Sequence, residues 1–138
     1  MMTNTQLSSE LFRVIDANLN RLREGIRVIE DIMRYKENNK HFASQLKELR
    51  HQARTPDTKL LLMHRDSIND VLKGSTKSEQ HRISIESIII ANFKRAEESS
   101  RVLEELYKLS DIQLSENFKS IRYALYNLEK EVLLNESE

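Results

Sequence analysis

The sequence predicts an all-α protein: a helical bundle of two repeated helix pairs, each a long helix plus a shorter one, joined by a connector with a short helix and a loop. Three observations predict it. Two Gly and one Pro in 138 residues are too few for the turns that strands and hairpins need. Apolar residues at Ile15, Leu19, Leu22, Ile26, Ile29 and Met33 form an unbroken seam at helical spacing. And one stretch, Ala17 to Asp31, returns as Ala91 to Glu105 at an offset of 74 residues with seven identical pairs out of fifteen, where chance gives roughly one.

Residues 1–7 read as a frayed start. Ser8 or Ser9 caps a long helix that runs to about Lys36 or Glu37, and Asn38-Asn39 breaks it. A second helix over about 40–54 carries Phe42, Leu46, Leu49 and Ala53 on one stripe. Thr55-Pro56-Asp57 stops it, and Asp57 is placed to cap a short third helix at Lys59-Leu60-Leu61-Leu62-Met63. Residues 75–82 are polar and read as a loop. A long helix from about Ile83 to Leu109 carries the second copy of the repeat, and Ser110-Asp111 interrupts it. Ser115 is expected to cap the last helix, to about Leu134, with Phe118, Ile121, Leu125, Leu128 and Val132 on its stripe. The chain therefore reads as a single domain over 1–138. Its internal repeat spans about 12–54 and 86–131, and Leu49-Arg50-His51 lies against Ile121-Arg122-Tyr123 at an offset of 72. The connector, 55–82, has no counterpart. Its length and its Arg, Asp and His content make it the natural lid or binding loop.

Composition narrows the function. The formal net charge is zero, so no basic field for nucleic acid is expected. There is no Cys, which removes disulfides, thiolate metal sites and a Cys nucleophile. Met1 to Ser9 is polar and lacks a signal-peptide core. No apolar run, Ile88 to Ala91 included, approaches membrane-spanning length. The expectation is a cytoplasmic protein with no membrane partner. Tyr107, Tyr123 and Tyr126 are read as aromatic surface, and with the two-seamed long helix they suggest a homodimer.

Five of the seven repeated identities are polar or charged, whereas a repeat kept only for packing would keep its apolar residues best. They lie on a second seam: Val14, Asn18, Arg21, Gly25, Val28 and Ile32 in one copy, Ile88, Asn92, Arg95, Ser99, Val102 and Leu106 in the other. Both seams are apolar at the ends and polar in the middle, so the Asn and Arg need partners. One reading has them fix helix register, with Arg21 on Glu24 and Arg95 on Glu98. The other has the two seams face each other across a pseudo-two-fold, so that two Asn and two Arg converge on a cavity for an anion or a planar polar ring.

Other motifs are weaker. His64-Arg65-Asp66 has an Asn three residues after its Asp, not the five of a protein-kinase catalytic loop. Gly74-Ser75-Thr76-Lys77-Ser78 lacks the first Gly of a phosphate loop. Asp66 and Asp70, four apart, either share a Mg²⁺ or form a solvated or capping pair. His41, His51, His64 and His81 show no zinc spacing.

Several elements together resemble one family. They are Ile15-Asp16-Ala17-Asn18 with Arg21, Glu24-Gly25 and Arg27-Val28-Ile29-Glu30-Asp31; Leu49-Arg50-His51; Arg65-Asp66-Ser67 with Asp70-Val71; Ala91-Asn92-Phe93-Lys94-Arg95 with Glu98 and Arg101-Val102-Leu103-Glu104-Glu105; and Arg122-Tyr123 with Tyr126 and Leu128-Glu129-Lys130. The set is similar to the alternative hydroxymethylpyrimidine phosphate kinase domain of bacterial thiamin biosynthesis, commonly fused in front of thiamin phosphate synthase. The resemblance implies ATP-dependent phosphorylation of 4-amino-5-hydroxymethyl-2-methylpyrimidine phosphate to the diphosphate, with ATP and Mg²⁺, and thiamin phosphate synthase as a partner. On that reading Arg65, Asp66 and Asp70 are catalytic, with Mg²⁺ on Asp66 and Asp70. Asn18, Arg21, Asn92, Lys94 and Arg95 bind substrate, and Glu24, Arg27, Glu98 and Arg101 orient them. Where the family usually has Gly and a small hydroxyl residue after its Asp-Val, this chain has Leu72-Lys73. That departure motivates the alternative, a non-catalytic module that holds the pyrimidine phosphate or the synthase.

Overall fold

The computed structural model of the protein describes residues 8–135; the start expected at residues 1–7 lies outside them. Helix α1, Ser9–Asp31, begins where the Ser8 hydroxyl accepts the Leu11 N–H. It runs on through a π-helical turn, Ile32–Lys36. Asn38 then takes a left-handed φ of 52°, which Asn tolerates better than other L residues, and Asn39 caps α2, Lys40–Gln52, through the Phe42 N–H. The break expected at Asn38-Asn39 is there.

The connector carries α3, Thr58–His64, and a single turn, α4, Lys77–Gln80, inside the stretch expected to be loop. Thr76 supplies the reason, since its hydroxyl accepts the Glu79 N–H and nucleates the turn. Asp57 occupies the cap position of α3 without capping it. Its carboxylate instead meets the Tyr107 hydroxyl, 3.3 Å away, and the Thr55 hydroxyl.

Helix α5, Ile85–Tyr107, starts in a reciprocal cap between Ser84 and Ser87. Helix α6 runs Ile112–Asn135, so the second pair is two long helices and not a long one plus a shorter one. It begins three residues before the expected Ser115. Asp111 accepts both the Gln113 and Leu114 N–H groups, and Ser115 is buried, donating to the Glu104 carbonyl at 2.7 Å.

Helices α1 and α5 pack on each other at the centre, with α2 on α1 and α6 on α5. Gly25 permits the close approach, because a Cβ there would lie 3.1 Å from the Asn92 carbonyl oxygen. The buried core collects the expected stripes: Ile15, Leu22, Ile26 and Ile29 from α1, Phe42 and Leu46 from α2, Phe118, Ile121 and Leu125 from α6. Tyr107 belongs to it too, stacked on Phe118 with only 1% of its surface exposed, which removes it from the expected aromatic surface; Tyr123 and Tyr126 are exposed.

Each helix pair is locked by an ion pair at equivalent places. Arg50 holds both oxygens of buried Glu30, at 2.7 and 3.2 Å. Arg122 holds Glu104 through two nitrogens, at 3.2 and 2.8 Å. The repeated Glu30/Glu104 identity and the offset-72 match of Arg50 with Arg122 are thus architectural. Among the described residues no helix is long and apolar enough to cross a membrane.

Candidate functional site

The repeated asparagines behave alike. Asn18 donates to the Val14 carbonyl at 2.9 Å and Asn92 to the Ile88 carbonyl at 2.8 Å, each four residues back on its own helix. The bond turns each amide along its helix and leaves its oxygen available. The repeated arginines differ from every register-fixing expectation. Arg21 and Arg95 are exposed, and neither makes an ion pair or hydrogen bond among the described residues; the pairs with Glu24 and Glu98 do not form.

The connector is fastened over the N-terminal half of α1. Arg65 donates from Nε and Nη2 to the two oxygens of Asp16, both at 2.7 Å, and Asp16 is 6% exposed. Arg13 donates two bonds to the Asp66 carbonyl, and Phe12 stacks on His64 with ring centroids 5.6 Å apart. A bidentate guanidinium–carboxylate pair fixes orientation as well as distance. The loop beyond it folds on its own carboxylates. Asp66 accepts the Asn69 backbone and side-chain N–H groups, which hold its carboxyl below the usual range, and one oxygen of Asp70 accepts the Leu72 N–H.

Two cavities result, and they share a wall of Asn18, Arg21, Ser67 and Asp70. One, of about 520 Å³, lies between α1 and the connector, against Val14, Ala17, Asp16 and Arg65. The other, of about 620 Å³, lies between α1, the connector and α5, against Lys73, Arg95, Glu98 and Ser99. Both are in the size range of small-molecule sites.

Of the residues singled out in the sequence, Asn18, Arg21, Arg95, Glu98, Arg65, Asp66 and Asp70 line these cavities. Asn92 does not, so the convergence is two arginines and one asparagine. The antiparallel crossing sets Asn18 beside the Arg95 to Val102 turns and Asn92 against Gly25. Lys94 faces α6 instead, with its ammonium 3.1 Å from Glu129 and 3.4 Å from Glu97. Arg27 pairs with Asp31 on the exposed surface, and Arg101, itself exposed, pairs with buried Glu104 and exposed Glu105. Glu24 lines neither cavity.

Magnesium needs only one or two protein carboxylates when phosphate oxygens and water supply the rest. Asp70 fits that role, since it lines both cavities and commits one oxygen to the turn; Asp66 fits less well, because Asn69 engages both of its oxygens. Among the described residues no three or more His, Cys, Asp or Glu side chains gather to hold a metal by themselves. Arg13 was not singled out in the sequence, and Lys73 was noted only as part of the Leu72-Lys73 departure. Lys73 and Arg13 carried no periodic signal, and Ser99 was visible only as the small residue opposite Gly25 in the repeat.

Comparison with known proteins gives the chain a family and relatives. The profile of the ThiD2 family matches residues 13–131. The chain is similar to the thiamine-phosphate synthase of Nostoc punctiforme, 39% identical over 129 residues, covering 93% of this chain and 37% of that protein. It is also similar to that of Thermosynechococcus vestitus, 38% identical over 138 residues, covering 97% of this chain and 39% of that protein. A third, from Prochlorococcus marinus subsp. pastoris, is 38% identical over 122 residues, 88% of this chain and 35% of that protein. The chain therefore spans a little over a third of the length of these relatives. No solved structure matches it.

Proposed function

The chain belongs to the ThiD2 family, and from that premise we propose that it acts in thiamin biosynthesis as a small-molecule phosphate kinase, transferring the terminal phosphoryl group of ATP to 4-amino-5-hydroxymethyl-2-methylpyrimidine phosphate. One observation carries this reading: Arg21 and Arg95, the same residue from each copy of the repeat, stand without carboxylate partners among the described residues, on one cavity that the connector helps to line. Phosphoryl transfer asks for positioned positive charge more than for covalent chemistry. A guanidinium with no competing anion is free to meet a phosphate bidentately.

The chain's own residues divide the work. Arg21, on the wall between the cavities, binds the phosphate oxygens at which transfer occurs. Asn18 presents its amide oxygen to a ring amine, one of its two N–H groups already spent on the Val14 carbonyl. Arg65, clamped on Asp16, holds the connector in place over α1. When bound with the nucleotide, Mg²⁺ supplies charge neutralisation, and Asp70 is the side chain that would hold it.

The test is direct. The 138-residue chain is incubated with ATP, Mg²⁺ and the pyrimidine monophosphate, with and without a thiamin phosphate synthase, and the diphosphate is sought. Diphosphate formed by wild type and lost in Arg21→Met supports the proposal. Ligand binding by calorimetry without ATP consumption in either mixture overturns it in favour of a non-catalytic module. Binding of no phosphorylated ligand overturns both.

A further inference from the structure

The two cavities are unlike in the way their cations are used. In the cavity between α1 and the connector, Arg65 is committed to Asp16 and Arg13 to the Asp66 carbonyl, and the facing surface is Val14 and Ala17. Among the described residues its remaining unpaired cation is Arg21, on the shared wall. In the cavity against α5, Arg21 and Arg95 are both unpaired, and Lys73 adds a third cation, its ammonium 2.7 Å from the Ile68 carbonyl. Three carboxylates, Asp70, Glu79 and Glu98, stand on the same lining. Three cations with carboxylates among them do not suit a lone phosphate. They suit a polyphosphate that carries a divalent cation with it.

Resting on the kinase reading above, we infer that the two cavities divide the two substrates: the α5-side cavity takes the polyphosphate of a magnesium–nucleotide complex, and the α1-side cavity takes the ring of the acceptor. The phosphate of the acceptor then lies at the shared wall of Asn18, Arg21, Ser67 and Asp70. One of its oxygens attacks the terminal phosphorus of the nucleoside triphosphate. The new P–O bond forms as the bond to the β-phosphate oxygen breaks, so the products are the acceptor diphosphate and a nucleoside diphosphate. Arg21 meets both ligands at the crossing point, whereas Arg95 and Lys73 meet only the donor and Val14 and Ala17 only the acceptor. The apolar wall is a surface for a planar ring, and the spent arginines beside it leave no second phosphate site there.

The experiment uses one exposed residue from each cavity, away from the shared wall. Calorimetry measures binding of ADP with Mg²⁺, and separately of the pyrimidine monophosphate, to wild type, Arg95→Met and Ala17→Phe. Circular dichroism melts verify that both variants are folded, and Arg95→Gln and Ala17→Leu replace either one that is not. The expected result is a loss of about tenfold or more in ADP affinity for Arg95→Met, the scale of a charge-assisted hydrogen bond, with the pyrimidine monophosphate little changed. Ala17→Phe gives the opposite pattern. ADP affinity of the wild type should also fall when EDTA removes the magnesium. If both ligands bind wild type but the variants act in the crossed pattern, or on both ligands alike, the division is overturned and the kinase reading stands. If neither ligand binds wild type, both are overturned.

Discussion

Arg65 closes on both carboxylate oxygens of Asp16, at 2.7 Å each, across 49 residues of sequence. The two ends of this pair are not equally protected, because the Asp16 side chain is 8% exposed and that of Arg65 43%. Removing the arginine leaves a buried carboxylate with only Asn20, 3.4 Å away, to bond it. Removing the charge of the aspartate leaves a guanidinium that water can reach. Arg65→Met is therefore expected to destabilise the protein by about 2–4 kcal/mol, and Asp16→Asn by about 1 kcal/mol or less. Urea denaturation measures both. Equal losses would show that the connector clamp is a surface pair.

The two interhelical locks give a second expectation. Arg50→Met strands Glu30, whose side chain is 1% exposed, and Arg122→Met leaves Glu104, at 5%, with only the exposed Arg101, 3.6 Å away, among the described residues. Each is expected to cost about 3–5 kcal/mol, and replacing both members of one lock with apolar residues should recover most of it. Because the locks sit in different helix pairs, a combined Arg50→Met and Arg122→Met chain should lose nearly the sum, provided it still folds. A coupling energy of several kcal/mol between the two would contradict the separate-lock geometry.

Glu97 makes stability depend on pH. It is 3% exposed, one of its oxygens has no partner, and burial first and the neighbouring Glu129 carboxyl second push its pKa up to about 7; Lys94 opposes them. A carboxyl whose folded pKa is raised contributes stability that is fully present below its unfolded value of 4.5 and is lost as pH rises through about 7. Glu97→Gln should flatten that decline and raise stability at pH 8 by on the order of 1 kcal/mol or more. The check is the difference between wild-type and variant melting temperatures at pH 5 and pH 8. A difference that does not change with pH would assign no titration to Glu97.

Gly25 sets the spacing of the central helices. Its missing Cβ would press on the Asn92 carbonyl at 3.1 Å and the Ala96 Cβ at 3.5 Å, and the first of these is helix backbone that cannot rotate away. In Gly25→Ala the gain in helix propensity, about 1 kcal/mol, is offset by pushing α1 from α5, so little net change is expected. Gly25→Val adds two more methyl groups at the same contact and should destabilise by about 1–3 kcal/mol. Thermal melts of the two variants decide the matter, and a stabilised Val variant would mean that the helices separate freely.

Much of this architecture was legible in the sequence because it is local or periodic. The stripes of Phe42 to Ala53 and Phe118 to Val132 became core, and the offset repeat became two helix pairs. Misreadings came where a local preference was overruled by a neighbour. Ser115 is a good helix cap, but Asp111 reached the free N–H groups first. Tyr107 looked like surface because tyrosine often is, yet it lies on the α5 stripe with Phe93 and Leu103, and Thr55, 2.6 Å from its hydroxyl, lets it be buried. For the cavities, the repeat pointed to Asn18, Arg21 and Arg95. Nothing local announced that Arg65 would find Asp16, so the way the connector folds back, and with it Lys73 and Ser67, could not be read from spacing.

The connector also does something that no side chain of the repeat can do. Two helix pairs with matching Glu–Arg locks, each offering an arginine to one cavity, approximate a two-fold arrangement. A true two-fold presents the same groups to whatever enters from either side, and so cannot tell a giver from a receiver. The connector lies against α1 and has no twin against the other half. It gives the groove a left and a right, and a reaction between two unlike molecules needs that direction before it needs any particular catalytic group.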